Sequence, residues 1–421
     1  MPDIDRPIRH MQNRKFISLF SGAGVGDIGF ETAGFKCLAA VERDPMRAAT
    51  FGMNIPDVEI FQDIRDKDNT FKQLRKFKDD DIDLLTATPP CQSFSTANPK
   101  RGRFDSPCIA KKDERNSLFF YCLAIIKELK PKIVVIENVP GFPSRKVKSP
   151  DGKLIGSVGD FIDASLRDYA GFQSVECMSD FGIPQRRKRS MALFCRMDLL
   201  EKTHEWRTGA HWVIPRNWKV PVLGNGYRTL TSLEALKRFR PLDGSCKESA
   251  TDPDDPLHRV PFYDSIRYSW IAGIPPESGR SAYENDRCPT CGKSGVPRKT
   301  MHCVFCSSLM TNRPHVFEGD GTARFIKGFA TSYRRMHPHQ PASTVTTSSS
   351  HFGSDLKIHP TQNRVLSVRE CAYLQTVPDD FDWSYALNSK NLYQIRKMIG
   401  EAIPTLFSYR LGRKIDKFLG G

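Results

Sequence analysis

Phe16-Ile-Ser-Leu-Phe20-Ser-Gly22-Ala-Gly24-Val-Gly26 joins a short, continuous apolar run to a turn with glycine at every second position. An apolar run without alternation suits a strand covered on both faces, and residues 27–34 continue as a helix that Gly34 ends. Runs of the same kind return at 37–42, 81–87, 132–137 and 190–195, while Leu118, Cys122, Ile125 and Leu129 share one helical stripe. This alternation over 16–197 predicts the α/β class, a mostly parallel sheet with helices on both faces.

The pattern lapses after about residue 200. Residues 201–355 hold four of the five Trp with many Pro, Gly and Arg and no sustained period. Periodicity returns at 364–377 and along 390–418, where Pro404 interrupts it. The expected organisation is a 14–200 domain, an irregular 201–355 domain, and a 356–421 segment that returns to the first. Thr-Val-Thr-Thr-Ser-Ser-Ser at 344–350 reads as a polar linker. The 63 Lys and Arg exceed the 48 Asp and Glu by a formal +15, a surplus that asks for an anionic partner. No window approaches the roughly 18 apolar residues of a membrane span, and the first residues do not resemble a secretion signal. The 12 cysteines are therefore expected to be reduced, in the cytoplasm.

The glycine turn would sit at the carboxyl edge of the sheet, where NAD, a flavin or S-adenosylmethionine can approach the backbone closely. Glu42 ends the second strand and can accept from both ribose hydroxyls; Asp63 can take an adenine amino group. Pro89-Pro90 stiffens the approach to Cys91, a thiol whose neighbours Lys100, Arg101, Arg103, Lys111 and Lys112 favour thiolate. Glu137 ends an apolar strand, where desolvation raises a carboxyl pKa and suits it to donate to a ring nitrogen. Asn138 follows it, and Arg187 and Arg189 lie in the basic run at 185–189.

In this order, FSGAGVG at 20–26, Glu42, Asp63, PPCQSFS at 89–95, ENVP at 137–140, QRRKR at 185–189, RVLSVRE at 364–370 and YQIRKMIGEAIP at 393–404 resemble the DNA (cytosine-5) methyltransferase family. Val25 stands where the family pairs its glycines, and Glu401 where it commonly has Asn. The resemblance implies a Rossmann-like S-adenosylmethionine-dependent methyltransferase domain, completed by the C-terminal segment and interrupted by a target recognition domain. Phe20, Gly22, Gly24, Glu42, Asp63 and Pro90 would line the cofactor pocket. Cys91 would attack carbon 6 of a cytosine swung out of double-stranded DNA, Glu137 would hold or protonate N3, Arg189 with Arg187 behind it would orient the carbonyl, and Asn138 would brace the Cys91 loop. The base that removes the carbon 5 proton is not identified; water is one candidate. Gln92, Ser95, Arg101 and Arg103 fall in the family's mobile loop over DNA, and Thr344 with Val345 resembles its recognition-domain dipeptide.

Cys288, Cys291, Cys303 and Cys306 form two CxxC pairs, the spacing of one structural tetrahedral zinc, which is not a general family feature. Arg334, Arg335, His337 and His339 are candidate readers of base edges or phosphates. The expected protein is a monomeric prokaryotic enzyme near the nucleoid, of the kind that is functionally paired with a restriction endonuclease. Its rivals are a tRNA cytosine-5 methyltransferase, a catalytically silent DNA-binding homologue and a zinc-ribbon endonuclease.

Overall fold

The structure is a computed structural model and describes residues 14–90, 117–200, 228–298, 300–328, 331–389 and 391–420. Strand β1 (Arg14–Leu19), helix α1 (Asp27–Thr32), β2 (Phe35–Val41), α2 (Pro45–Asn54) and β3 (Glu59–Phe61) build one half of a sheet. The short α3 (Lys72–Leu74), then β4 (Leu84–Ala87), α4 (Leu118–Leu129) and β5 (Ile133–Asn138) begin the other half. A hairpin, β6 (Lys146–Lys148) with β7 (Ile155–Ser157), leads to α5 (Val158–Ser165), β8 (Tyr169–Cys177), β9 (Gln185–Arg186), β10 (Lys188–Arg196) and α6 (Met197–Leu200). The seven-stranded order is β3-β2-β1-β4-β5-β10-β8. The first five strands run parallel, and β10 is antiparallel to both of its neighbours. The order reverses between β1 and β4, so a ligand crevice opens at the carboxyl ends of those two strands.

Successive residues of β1 face opposite cores, which is why its sequence is continuously apolar. Phe16 packs with Phe30, Phe35 and Leu411 on one face of the sheet, and Ile17 and Leu19 pack with Ile125, Ile126 and Ile162 on the other. Helix α2 starts where Asp44 Oδ1 accepts from the N–H groups of Met46 and Arg47, with Pro45 in the first turn.

Beyond residue 227 the described elements are short. They are α7 (Ser232–Leu236), α8 (Ser265–Ala272), a two-stranded ribbon of β11 (His315–Phe317) and β12 (Ala323–Phe325), and β13 (Ala342–Ser343). Regular helix returns in α9 (Val368–Leu374), α10 (Ser384–Asn388), α11 (Leu392–Glu401) and α12 (Thr405–Phe418). Helix α12 comes back onto α1 so closely that a Cβ on Gly29 would stand 2.3 Å from Thr405 O, an approach only glycine permits. Thr405 Oγ1 also donates to Val25 O at 2.7 Å. Helices α9 and α11 share a third core with Ala23 and Val25 of the glycine turn and with Met336 and Val345.

The expected linker at 344–350 is instead packed structure. Strand β13 pairs with β9, the Val345 N–H donates to Gln185 Oε1 at 3.0 Å, and Ser349 is buried, accepting from Arg396 Nη1 at 3.2 Å. Its polar side chains satisfy buried cations and backbone groups, a use that composition does not reveal.

Helix α9 begins with a capping box between Ser367 and Glu370, and Arg364 closes on both oxygens of Glu370 at 2.7 Å. Burial opposes ionisation of Glu370, yet Arg364 brings its pKa down to about 2. A depressed carboxyl contributes stability above its unfolded-state value near 4.3, and that stability is lost as pH falls toward about 2. Glu370→Gln leaves a buried guanidinium unpaired and is expected to cost about 3–5 kcal/mol at pH 7. It should also flatten the loss of stability between about pH 4.5 and 2, both effects being read by urea unfolding across pH.

Candidate active site

Past β1 the chain turns through a left-handed series, Phe20 at φ +58°, Gly22 at +60° and Gly24 at +81°. A Cβ on Gly22 would meet nothing within 4 Å, so the turn is open there to a ligand. Thr88, just past β4, ties the two strand ends together by donating its hydroxyl to Phe20 O at 2.8 Å. Glu42 lies beside the turn, Oε2 accepting from the Gly22 N–H at 2.9 Å and Oε1 from the Asp44 N–H at 2.8 Å. Burial raises its pKa, and those two N–H groups together with Arg47 act against the rise. One lone pair on each oxygen is thus taken, and one on each remains for a pair of hydroxyls. The residues fit the ribose end of S-adenosylmethionine.

Asp63 is placed differently. Its carboxylate accepts from Arg65 Nε at 3.0 Å and from Arg65 Nη2 at 2.7 Å, and these bonds bring its pKa to about 2. An adenine amino group would have to share it with that arginine. Arg47, which the sequence reading passed over, bridges Asp44 at 2.7 Å and Glu401 at 2.8 Å. The signal for it was Glu401 itself, an acid where the family pattern has an amide.

On the far side of β4, Glu137 and Asn138 end β5 and lie against β10, in register with Met191 and Ser190. Glu137 is buried, and Arg189 Nε stands 2.9 Å from its Oε1. Burial raises the Glu137 pKa, opposed by the charges of Arg189 and Arg187. Oε1 is sealed from solvent and paired with the Arg189 guanidinium. Asn138 Nδ2 donates to Pro89 O at 2.8 Å, which fixes the turn that carries Pro90 toward Cys91. Cys91, Gln92, Ser95, Arg101 and Arg103 lie outside the described residues.

Two of the basic candidates are held by backbone carbonyls, and for Arg335 this revises the expected role. Arg187 is fully buried and donates to Val345 O at 2.9 Å, Gly400 O at 3.0 Å and Ala402 O at 2.8 Å. Arg335, expected to read DNA, is fully buried too, and it donates to the carbonyls of Ile271, Ile274, His359 and Gln362. Loss of water lowers its pKa to about 10, still charged at neutral pH. Arg334 is half-buried and turned inward, onto Gly279 O at 2.7 Å and Glu284 at 3.4 Å. His337 and His339 are exposed side by side, and Thr344 donates its hydroxyl to Arg186 O at 2.8 Å.

The four knuckle cysteines converge. All four Sγ atoms lie within 4.8 Å of one another, with Cys288 and Cys306 at 3.7 Å and Cys291 and Cys303 at 3.8 Å. A tetrahedron of thiolates with Zn–S bonds of about 2.3 Å has edges of about 3.8 Å. The two turns are alike. Gly292 at φ +73° donates to Cys288 O, Ser307 at φ +60° donates to Cys303 O, and the N–H groups of Cys291 and Phe305 point at the sulfurs of Cys288 and Cys303. Such N–H groups stabilise thiolate, so the donor set fits a metal. Arg313, buried beneath, donates to the carbonyls of Asn285, Val296, Pro297 and Thr300.

Residues 14–417 match the model of the C-5 cytosine-specific DNA methylase family. The chain belongs to that family. This C-5 cytosine DNA methyltransferase is 28% identical over 409 residues to the Type II methyltransferase M1.HgaI of Avibacterium volantium, covering 95% of this chain and 97% of that protein. It is 27% identical over 419 residues to the Type II methyltransferase M.NgoPII of Neisseria gonorrhoeae, covering 96% of each. Among solved structures it resembles a putative DNA modification methyltransferase encoded within an E. coli prophage, with TM-score 0.60 at 18% identity over 97% of this chain and 100% of that one. A variant of Spodoptera frugiperda DNMT2 gives TM-score 0.53 at 12% identity over 96% and 100%. The α/β fold expected from the sequence is the fold these proteins share.

The Glu137 environment is directly measurable. Replacing Arg189 by Met removes the nearest opposing charge, so the Glu137 pKa should rise further, by about 1–3 units. Carboxyl-labelled NMR titration of the methyltransferase, with the resonance assigned through Glu137→Gln, checks both direction and size.

Proposed function

We propose that this enzyme methylates carbon 5 of a cytosine flipped out of a short specific sequence in double-stranded DNA, with Cys91, Glu137, Asn138 and Arg189 as its catalytic group. The observation that carries this reading is the convergence of two anchors at one strand end. Glu137 is paired with Arg189, while Asn138 holds Pro89 and so the approach to Cys91. S-adenosylmethionine supplies a methyl group activated by its sulfonium. Phe20, Gly22, Gly24, Glu42 and Pro90 bind it, with Glu42 on the ribose hydroxyls and Asp63 at the adenine.

The Cys91 thiolate adds to carbon 6 as Glu137 delivers a proton to N3, which leaves carbon 5 electron-rich enough to take the sulfonium methyl; the sulfur–methyl bond breaks with release of S-adenosylhomocysteine, and the N3 proton returns to Glu137. Burial raises the Glu137 pKa and so favours the protonated acid, against the opposing charges of Arg189 and Arg187, and Arg189 faces the cytosine carbonyl with its remaining donors. A base then takes the carbon 5 proton, the electron pair restores the ring double bond, and the carbon–sulfur bond breaks to return the thiolate. Gln92, Ser95, Arg101 and Arg103 close over the DNA, and Thr344 belongs to the surface that reads it.

The domain plan is a catalytic and cofactor-binding domain over 14–200, a target recognition domain over 201–355 and a returning segment over 356–421. Similarity to Type II methyltransferases supports a modification enzyme functionally paired with a restriction endonuclease; we read it further as a monomer in the cytoplasm of a prokaryote, at the nucleoid. No helix among the described residues is long and apolar enough to cross a membrane.

Expression in a host without cytosine methylation, followed by base-resolved sequencing of 5-methylcytosine, should show one short motif methylated throughout. Cys91→Ser should leave that motif unmethylated while still binding S-adenosylmethionine. A methylated motif in the Cys91→Ser strain would overturn the mechanism. An unmethylated wild-type strain, with protein shown to be folded and loaded with cofactor, would overturn the DNA substrate in favour of tRNA.

The Cys288, Cys291, Cys303 and Cys306 cluster supports one structural zinc, because four thiolates leave no position for water. Metal analysis of protein purified without chelator should return about one zinc per chain. Cys306→Ser should lose the zinc and lower the melting temperature; full retention of native thermal stability in the metal-free variant would contradict a structural role.

A further inference from the structure

Between the strand end that carries Glu137 and the helix α5 lies an element with no part in the chemistry. The chain leaves β5 through residues 139–145 and forms the hairpin β6–β7 before entering α5 at Val158. The hairpin is fixed at its base. Val147 is buried in the core beneath the sheet, Val158 N–H donates to Arg145 O at 2.9 Å, and Gly159 N–H donates to Pro143 O at 2.9 Å. Its tip is a defined turn, with Ser149 N–H on Leu154 O at 2.9 Å and Gly152 at φ +74°.

The outward face has one chemical character. Alternation along β6 places Lys146 and Lys148 on the side opposite buried Val147, and Lys148 stands across the antiparallel ladder from Ile155. Lys153 projects from the turn. None of these three lysines has an ion-pair partner among the described residues; of the nearby acids, Asp151 is engaged by the Ser149 hydroxyl at 2.5 Å and the Lys153 N–H at 3.1 Å, and Asp160 accepts from the Ser157 N–H at 3.0 Å at the start of α5. Leu154 and Ile155 keep 65% and 59% of their surface exposed. Large aliphatic side chains left exposed beside lysines without ion-pair partners, on a ribbon that follows the strand end carrying Glu137, suit a polyanion that also offers apolar sugar edges. Phosphates take the ammonium groups, and sugar edges take the aliphatic pair.

We propose that the hairpin β6–β7 is a second DNA contact, a phosphate grip on the catalytic side of the duplex through Lys146, Lys148 and Lys153, with Leu154 and Ile155 laid against the sugar edges of the minor groove. The proposal rests on duplex DNA as the substrate, and it adds a surface that acts without reading sequence, because ammonium–phosphate contacts carry no base information.

The test uses the full-length enzyme and measures binding to a duplex with the genomic target motif and to one without it, across a potassium chloride series. Lys146→Ala/Lys148→Ala/Lys153→Ala should weaken binding to both duplexes at least about tenfold at low salt and make the slope of log K against log salt shallower by about 2–3, near 0.9 for each phosphate released. S-adenosylmethionine affinity and melting temperature should not change. Leu154→Ser/Ile155→Ser should weaken binding with the slope unchanged, since it removes no charge. A triple variant with wild-type affinity and wild-type slope overturns the hairpin contact while leaving the methyltransferase reading intact. Failure of the cofactor-loaded wild-type protein to bind any duplex overturns the DNA reading, and the hairpin contact with it.

Discussion

The buried guanidinium of Arg187 is the joint on which the site depends. Taking a cation out of water costs several kcal/mol, which is tolerable only if its donors are well matched. Here the match is made by carbonyls of Val345, Gly400 and Ala402, contributed from more than 150 residues further along the chain. Arg187 therefore holds the segment that follows β13 and the end of α11 together against β9 and β10. Two residues away on the same backbone, Arg189 faces Glu137. The packing that fixes the fold thereby fixes the direction from which the Glu137 carboxyl meets its cation.

Arg187 belongs to a wider pattern. Arg313, Arg335 and Arg364 are fully buried as well, and each gathers carbonyls from irregular backbone around 242, 271–300 and 359–365. Loops without a sheet or helix ladder leave carbonyl groups that must be paired when buried, and a planar fork of five donors can serve several at once. Part of the formal surplus of positive charge is thus spent inside the protein. The charge that remains to meet DNA must be sought at lysines without partners, not in a total over the sequence.

This divides what sequence could reveal from what it could not. The strands, the glycine turn, Glu42 and Glu137 were legible because their signals are local: a run of apolar residues, then a chemically distinct residue at its end. The cysteine knuckles were legible because ligand spacing is a local signal as well. Arg335 was misread because a basic residue looks the same whether its donors meet phosphate or carbonyl, and it is spoken for by backbone as much as 64 residues away. Thr-Val-Thr-Thr-Ser-Ser-Ser looked like a linker because its packing is set by Gln185 and Arg396. The hairpin at 146–157 carries a usable signal in Ser149-Pro150-Asp151-Gly152, a turn sequence flanked by an alternating Lys-Val-Lys, but strands of three residues fall below the length that periodicity resolves.

The same constraint reaches the cofactor side. Glu42 shares its backbone anchor at Asp44 with the start of α2, Arg47 on that helix pairs with Glu401, and the carbonyls on either side of Glu401 are those held by Arg187. The residues that would seat the methyl donor and those that would seat the acceptor base are thus referenced to one short stretch, 400–402. Transfer between two bound groups demands that the reacting atoms be held about 3–3.5 Å apart and aligned, and an error of about 1 Å costs roughly a hundredfold in rate. A fold whose catalytic parts come from both ends of the chain meets that tolerance only if both ends are fixed to the same point. Gly400 shows how tightly this is done: a Cβ there would stand 2.5 Å from the Thr346 peptide, so the junction admits no side chain without moving both sites at once.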